Sequence, residues 1–175
     1  MTHIVTDTTS TLTSTEAAEL GIPVIPQIVN FGEESFYEGQ DIDITTFLRR
    51  LQSSKVLPKT AAPPPELFSE LFQRLVPTGE TIICIHPSAE VSGTVRSATV
   101  AAMDFPNADI RVIDTRMVAS PMATLVLLAH RWAKEGKPAD FIETQVRAMI
   151  PRCRIYFLVD TLEYLARGGR IGGAA

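Results

Sequence analysis

Short apolar runs alternate along this sequence with longer amphipathic segments, and this alternation restricts the possible folds more than any other feature. Residues 81–85 form the clearest run, because four apolar residues follow the opening threonine without interruption. Such a run is typical of a strand that is buried on both faces of a parallel sheet. Further runs end at Asp7, at Asp114 and at residue 159, and helical patterns of suitable length separate them. The sequence therefore predicts a three-layer α/β domain with a mainly parallel sheet.

The helices and the remaining extended segments are predicted from apolar spacing, caps and helix breakers. Helices are predicted at residues 14–20, 44–51, 94–103, 119–134 and 141–150. A further helix opens at Pro64 or Pro65, where the fixed φ of proline suits a first turn. Residues 23–37 are predicted to form an extended strand and a short hairpin, whereas the prolines within residues 55–65 predict a loop.

Length, charge and segment composition exclude several classes of protein. With 175 residues, the chain is expected to form one compact domain. It has 16 basic and 20 acidic residues, so a nucleic-acid partner is not expected. The longest mainly apolar stretch, residues 117–129, is shorter than the roughly 20 residues of a membrane-spanning helix, so no span is expected. The N-terminus has neither the basic head nor the apolar stretch of a signal peptide, which predicts a cytoplasmic location.

Known catalytic and metal-binding patterns find little support. Cys84 and Cys153 lie far apart and lack partners at zinc-ligand spacing, so both are predicted to be small core residues. Ser92 lacks the glycine that a nucleophile elbow has two positions earlier, and residues 168–173 match no phosphate-binding loop. His86 lies near Ser92 in sequence, but a core or loop role is expected for it over catalysis. No catalytic residue, metal site or cofactor is therefore predicted.

Polar residues, most of them with hydroxyl groups, follow the predicted strands. In an open α/β sheet, ligands bind outside the carboxyl ends of the strands, so these residues are expected at one edge. The clusters are residues 7–10, 86–88, 92–94, 114–116 and 160–161, with Lys59 and Thr60 joining them if their loop folds over that edge. Hydroxyl groups, rather than histidines or paired carboxylates, dominate the set.

Ser92, Gly93 and Thr94 open a predicted helix and are suited to hold an anion. A helix N-terminus has unpaired N–H groups and a positive partial charge, and a glycine lets a ligand oxygen approach the backbone. A hydroxyl that merely caps the helix is an equally good interpretation of this segment. Arg167 and Arg170 flank two glycines, and they either recognise a phosphate or carboxylate or lie in a solvated loop.

Several segments, in order along the whole chain, together resemble the DegV family of bacterial fatty-acid-binding proteins. They are residues 4–9, Lys59 with Thr60, residues 92–94 with 97–98, residues 112–115 and residues 160–172. The last of these segments is long enough to be strongly specific, whereas each of the others is weak alone.

The resemblance implies a two-domain protein that encloses a long-chain fatty acid. Residues 1–166 would form an α/β domain that binds the lipid head group. Residues 167–175 would be a glycine-rich linker to a C-terminal α+β domain that this chain lacks. A fatty acid kinase would be the partner that makes the acyl phosphate, while this protein acts as a carrier and not as the catalyst.

The resemblance also assigns residues to the site. Thr60 and Ser92 would hold the fatty acid carboxylate, with help from the amides of Gly93 and Thr94. The residues that it would place near the head group or the partner are Asp7, Arg167 and Arg170. Hydroxyls and helix amides supply the hydrogen-bond donors that a buried carboxylate needs to offset its desolvation.

Two other functions remain open from the sequence alone. One is a small α/β enzyme that acts on a phosphorylated or acyl substrate, with Asp7, Ser92 or His86 as its working groups. The other is an isolated structural domain whose exposed apolar face promotes self-association.

Overall fold

The computed structural model describes residues 2–54 and 56–171 of the chain. The strands are β1 (Thr2–Asp7), β2 (Val24–Ile25), β3 (Ile28–Phe31), β4 (Glu34–Tyr37), β5 (Lys59–Ala61), β6 (Thr81–His86) and β7 (Ile110–Asp114). The α-helices are α1 (Ser14–Leu20), α2 (Ile44–Ser53), α3 (Pro65–Leu75), α4 (Thr94–Ala102), α5 (Ala119–Lys134), α6 (Ala139–Met149) and α7 (Glu163–Arg167). Short 3-10 turns follow β1, α3 and α6 at Thr8–Ser10, Val76–Thr78 and Ile150–Arg152.

Four parallel strands form the central sheet in the order β2-β1-β6-β7. Ile83 and Ile85 of β6 pack with α5 and α6 on one face, while Ile82 and Cys84 pack with α3 and α4 on the other. Strand β6 is therefore buried on both faces, as its uninterrupted apolar run predicts. The helix–sheet–helix arrangement confirms the predicted three-layer α/β domain.

A second sheet is antiparallel and has the order β4-β3-β5. Its β3–β4 hairpin agrees with the prediction for residues 23–37. The loop predicted for residues 55–65 is wrong in part, because Lys59–Ala61 pairs with β3 as strand β5. Prolines exclude a helix here but not a strand just before them, since a residue that precedes proline favours extended backbone.

Most predicted helices agree with the structure, and their first residues have local causes. Helix α1 begins in a capping box, in which Thr13 accepts from the amide of Glu16 and the Glu16 side chain accepts from the amide of Thr13. Asp43 caps α2 by accepting a hydrogen bond from the amide of Thr46. Helix α3 begins at Pro65, one of the two predicted positions.

The strand predicted at residues 155–159 is absent from the structure, which is the main correction to the predicted fold. This segment has no regular secondary structure, and no strand of the described ranges pairs with it. A strand needs a neighbour for its backbone N–H and C=O groups, so the apolar run alone does not make one. The exposed side chains are those of Tyr156, Phe157, Leu158 and Val159. Residues 160–161 consequently do not follow a strand of the sheet, where the sequence placed them.

Candidate functional site

The carboxyl ends of β1 and β6 meet at the centre of the main sheet. Strand β2 lies beyond β1 and β7 lies beyond β6, so the chain connections leave this point in opposite directions. In open α/β sheets, such a topological switch point forms the ligand crevice. Asp7 is the last residue of β1 and His86 is the last residue of β6, and the two side chains are in contact there.

Asp7 and His86 form a fully buried pair. The Oδ2 atom of Asp7 lies 2.6 Å from His86 Nδ1, and its Oδ1 atom accepts from the amide and hydroxyl of Thr9 at 2.9 and 2.6 Å. Burial acts to raise the pKa of Asp7, but the bond and charge interaction with His86 and the bonds from Thr9 hold that pKa below its ordinary value. Asp7 is therefore a carboxylate, and His86 Nδ1 donates to it.

A chain of hydrogen bonds runs from Asp7 through Gln27 to the start of α4. Gln27 Nε2 donates to Asp7 Oδ1 at 3.1 Å and to Thr94 Oγ1 at 2.9 Å. The hydroxyl oxygens of Thr94 and Ser92 lie 2.8 Å apart. Gln27 and Thr94 are buried, whereas Ser92 is half-buried. The structure thus connects three of the candidate residues, Asp7, Ser92 and Thr94, in one network.

Gln27 is a member of this network that sequence reasoning missed. Its signal is that it is the one amide side chain within residues 22–29, which are otherwise apolar or proline. A buried amide needs hydrogen-bond partners. Its partners, however, are separated from it by 20 residues for Asp7 and by 67 for Thr94, so the sequence does not reveal them.

The first turn of α4 bears on both interpretations of this segment, anion binding and capping. Gly93 occupies the N-cap position, and no side chain caps the helix. The amide of Thr94 donates a long hydrogen bond, 3.4 Å, to Ser92 Oγ. Within the described residues, this long hydrogen bond is the one side-chain contact of the first α4 amides, and the helix start carries a positive partial charge.

The segment that follows Thr60 approaches the start of α4. Thr60 is on β5, and the nearby Ala62 is so close to α4 that a Cβ placed on Gly93 would stand 3.3 Å from the Ala62 Cβ. A glycine at this position keeps the two segments in close contact. Arg170 Nη2 donates to Thr60 Oγ1 at 3.3 Å, although 110 residues separate them in sequence.

Other predicted candidates lie outside this cluster. Arg167 forms an ion pair with Glu163 of the same short helix, with 3.0 Å between Nη1 and Oε1. Asp114 accepts from the amide of Arg116 at 2.8 Å in the turn after β7. The hydroxyl and carboxylate of residues 160–161 follow the irregular segment and not a strand.

An apolar cavity of about 360 Å³ opens beside Thr60. Its volume falls within the range of small-molecule sites. The apolar side chains that line it include Leu12, Val24, Pro26, Val29, Ile42 and Phe47. Thr8 and Thr60 add hydroxyl groups to the lining. The cavity therefore offers contacts for an apolar chain, and Thr60 in its lining is two residues from Ala62, which approaches Gly93.

Neither a metal-ligand cluster nor a membrane-spanning helix occurs in residues 2–54 and 56–171. No three His, Cys, Asp or Glu side chains of these ranges come together in a way that could hold a metal ion. None of the helices in the described parts of the chain has both the length and the apolar character to cross a bilayer. The polar side chains that line the cavity are the hydroxyls of Thr8, Thr11, Thr13, Ser14 and Thr60, the carboxylates of Glu38 and Asp43, and the amide of Gln40.

Comparison with known proteins identifies close relatives over the whole chain. A family model described as "Uncharacterised protein, DegV family" matches residues 1–175. A DegV domain-containing protein of Streptomyces coelicolor is 38% identical over 172 residues, which cover 98% of this chain and 60% of that protein. A second one, from Halalkalibacterium halodurans, is 36% identical over 172 residues, with 98% and 61% covered.

Solved structures share the same fold. DegV from Bacillus subtilis, a fatty acid binding protein, superposes with a TM-score of 0.91 at 30% identity over 99% of this chain and 62% of its own. A stearic acid-binding protein from Eubacterium ventriosum gives a TM-score of 0.90 at 29% identity, with 100% and 62% covered. The chain thus spans about 60% of the length of these relatives. Because the family model matches it from end to end, the chain belongs to the DegV family.

Proposed function

We propose that this chain provides the head-group part of a binding site for a long-chain fatty acid and acts as a carrier. The observation that carries the proposal is that Thr60 lines the apolar cavity and lies two residues before Ala62, which approaches Gly93 at the start of α4. A fatty acid needs this combination, because it joins a long apolar chain to a single carboxylate. The fatty acids bound by the relatives from B. subtilis and E. ventriosum support the same ligand class.

The carboxylate is held by the hydroxyls of Thr60 and Ser92 and by the amides of Gly93 and Thr94. A carboxylate that leaves water needs hydrogen-bond donors to offset the cost of desolvation. The start of α4 contributes a positive partial charge in addition to its amides. Arg170, which already contacts Thr60, adds a full positive charge at the same place.

The acyl chain occupies the cavity between Thr60 and α2. Val29 and Ile42 line this cavity, and both are buried. Each methylene that leaves water contributes roughly 0.8 kcal/mol to binding, so a long chain supplies most of the affinity. The head-group contacts then determine the selectivity for the polar end group of the ligand.

In this proposal, Asp7 and His86 stabilise the buried residues next to the site and do not contact the ligand. Both side chains are fully buried, and the carboxylate oxygens of Asp7 accept from Thr9, Gln27 and His86. A substrate therefore has no direct route to either group. This burial favours a binding role over the alternative of a small enzyme that uses Asp7 or His86.

A second domain completes the site in this proposal. The chain has about 60% of the length of its relatives, and residues 156–159 expose apolar side chains that a further domain would cover. Residues 167–175 form the proposed linker to that domain, although residues 172–175 lie outside the described ranges. Contact with that second domain would also explain why the apolar run at residues 155–159 pairs with no strand of the described residues.

A fatty acid kinase is the proposed partner, with Arg167 as a contact. The Arg167–Glu163 pair is exposed, and such surface pairs contribute little stability, so the guanidinium is free to turn toward an anion. With stearate bound to the carrier, we expect purified kinase and ATP to form acyl phosphate, and Arg167→Glu to slow this step about tenfold. An unchanged rate with Arg167→Glu would show that Arg167 does not contribute to the kinase contact. If the kinase forms no acyl phosphate from carrier-bound stearate, the kinase is not the partner.

Replacement of Ser92 by alanine tests the carboxylate site. We expect the affinity for stearate to fall at least about tenfold, because the carboxylate loses a charge-assisted hydrogen bond. The matched control is Thr99→Ala, which removes an exposed hydroxyl of the same helix that donates only to the carbonyl of Val95. Calorimetric titration of the chain joined to its proposed second domain measures all three affinities. Equal affinities for the wild type and Ser92→Ala would contradict the proposal.

A further inference from the structure

Gln27 connects the buried Asp7–His86 pair to the proposed carboxylate site, and its position determines the direction of the hydroxyl protons there. We propose, on the basis of the fatty-acid function above, that Gln27 is a positioning residue that selects a carboxylate head group by making Ser92 a hydrogen-bond donor. The inference rests on three consecutive contacts between Asp7, Gln27, Thr94 and Ser92.

Asp7 sets the donor-to-acceptor direction of these hydrogen bonds. An ionised carboxylate can only accept hydrogen bonds. The neighbouring Gln27 amide must therefore present its NH₂ group to Asp7, because its carbonyl oxygen would repel the carboxylate. In this orientation Nε2 lies 3.1 Å from Asp7 Oδ1 and 2.9 Å from Thr94 Oγ1. One amide proton is donated to each of them.

The hydrogen bond from Gln27 then determines which way the Thr94 and Ser92 hydroxyls donate. Thr94 Oγ1 accepts from Gln27, so its own proton is free to point at Ser92 Oγ, 2.8 Å away. Ser92 Oγ then accepts from Thr94, and the Ser92 proton is directed out of the network. Ser92 is half-buried, whereas Gln27 and Thr94 are buried, so the outward proton lies at the accessible end.

A preset donor distinguishes head groups. A carboxylate has only acceptor atoms and gains a charge-assisted bond from the Ser92 hydroxyl. A fatty alcohol of the same length can donate as well as accept, so it gains less from a site whose direction is fixed. Gln27 would thus contribute to selectivity without contacting the ligand.

Replacement of Gln27 by glutamate reverses the direction of hydrogen-bond donation from position 27 to Ser92, and this variant provides the test. Whether the new carboxyl is ionised or shares a proton with Asp7, it presents an acceptor oxygen to Thr94. Thr94 then donates toward position 27, Ser92 donates to Thr94, and the ligand meets a Ser92 lone pair. Gln27→Met is the matched variant, since it retains the length of the side chain and removes both donors.

The measured quantity is the ratio of the affinities for stearate and octadecanol, in the chain joined to its proposed second domain. We expect this ratio to fall about tenfold in Gln27→Glu and about threefold in Gln27→Met, with octadecanol affinity nearly unchanged. If Gln27 has only a structural role, its replacement would lower the affinities for stearate and octadecanol by the same factor and leave their ratio constant. If Gln27→Glu does not fold, the ratio in Gln27→Met decides.

Failure of this inference differs from failure of the proposed function. A wild-type ratio in the folded variants, with Ser92→Ala still losing stearate, would overturn the role of Gln27 alone. A wild-type protein that binds neither ligand would overturn the fatty-acid function itself.

Discussion

Replacement of Asp7 by asparagine is expected to lower the free energy of unfolding by about 3 kcal/mol, because it removes a buried carboxylate that accepts several hydrogen bonds. Its carboxylate is fully buried and accepts from Thr9, Gln27 and His86. An asparagine amide would direct a donor at groups that are themselves donors. Urea unfolding followed by circular dichroism at pH 7 measures the difference.

The same variant should have a characteristic pH dependence. Because the folded-state pKa of Asp7 lies below its ordinary value, its ionisation stabilises the fold above the unfolded-state pKa of about 3.9. That contribution is lost as the pH falls below this value and through the folded-state pKa. The stability difference between the wild type and Asp7→Asn should therefore be constant near neutrality and shrink below about pH 4.

Asp114→Asn is the matched control for this prediction. Asp114 also ends a parallel strand, but it is only half-buried and accepts from the backbone amides of Arg116 and Ala89. We expect a loss of about 1 kcal/mol from this change. Equal stability losses for the two variants, or a difference that grows in acid, would contradict the role assigned to Asp7.

A tryptophan at position 44 should block the acyl cavity. Ile44 lines that cavity on α2 and is 69% exposed, so a larger side chain can enter the cavity without overfilling the core. We expect Ile44→Trp to reduce stearate affinity more than about tenfold, because several methylenes lose their apolar contacts. Octanoate, which needs less of the cavity, should be affected much less. Competition against a fluorescent fatty acid measures both ligands.

Leu48→Trp provides the control for the cavity. Leu48 is one turn further along α2, is also exposed and does not line the cavity. Its replacement should change stearate affinity by less than about twofold. If both tryptophan variants bind stearate like the wild type, the acyl chain lies elsewhere.

Much of the fold follows from local patterns in the sequence. The apolar run of β6 predicts its burial on both faces, and the cap residues before residue 14 predict the start of α1. These signals are local, because a run or a cap needs only a few neighbouring residues. The run at residues 155–159 is the exception, since pairing partners and not the run itself decide whether a strand forms.

The sequence alone suggests the residues of the proposed site but not the contacts between them. Ser92 and Thr94 could be found from their position at a helix start, and Thr60 from the family resemblance. The contact of Thr60 with Arg170 and the link from Thr94 to Gln27 join residues that are distant in sequence. Which polar groups meet at a sheet edge depends on the strand order, and no local pattern reports it.

The most direct test of fatty-acid binding is native mass spectrometry of the chain joined to its proposed second domain, after gentle purification from bacterial cells. We expect a wild-type adduct with the mass of a long-chain fatty acid, the same adduct in Thr99→Ala, and its loss in Ser92→Ala. A folded wild-type protein that carries no adduct, even after incubation with stearate, would contradict fatty-acid binding. An adduct of equal intensity in Ser92→Ala would contradict the proposed carboxylate site.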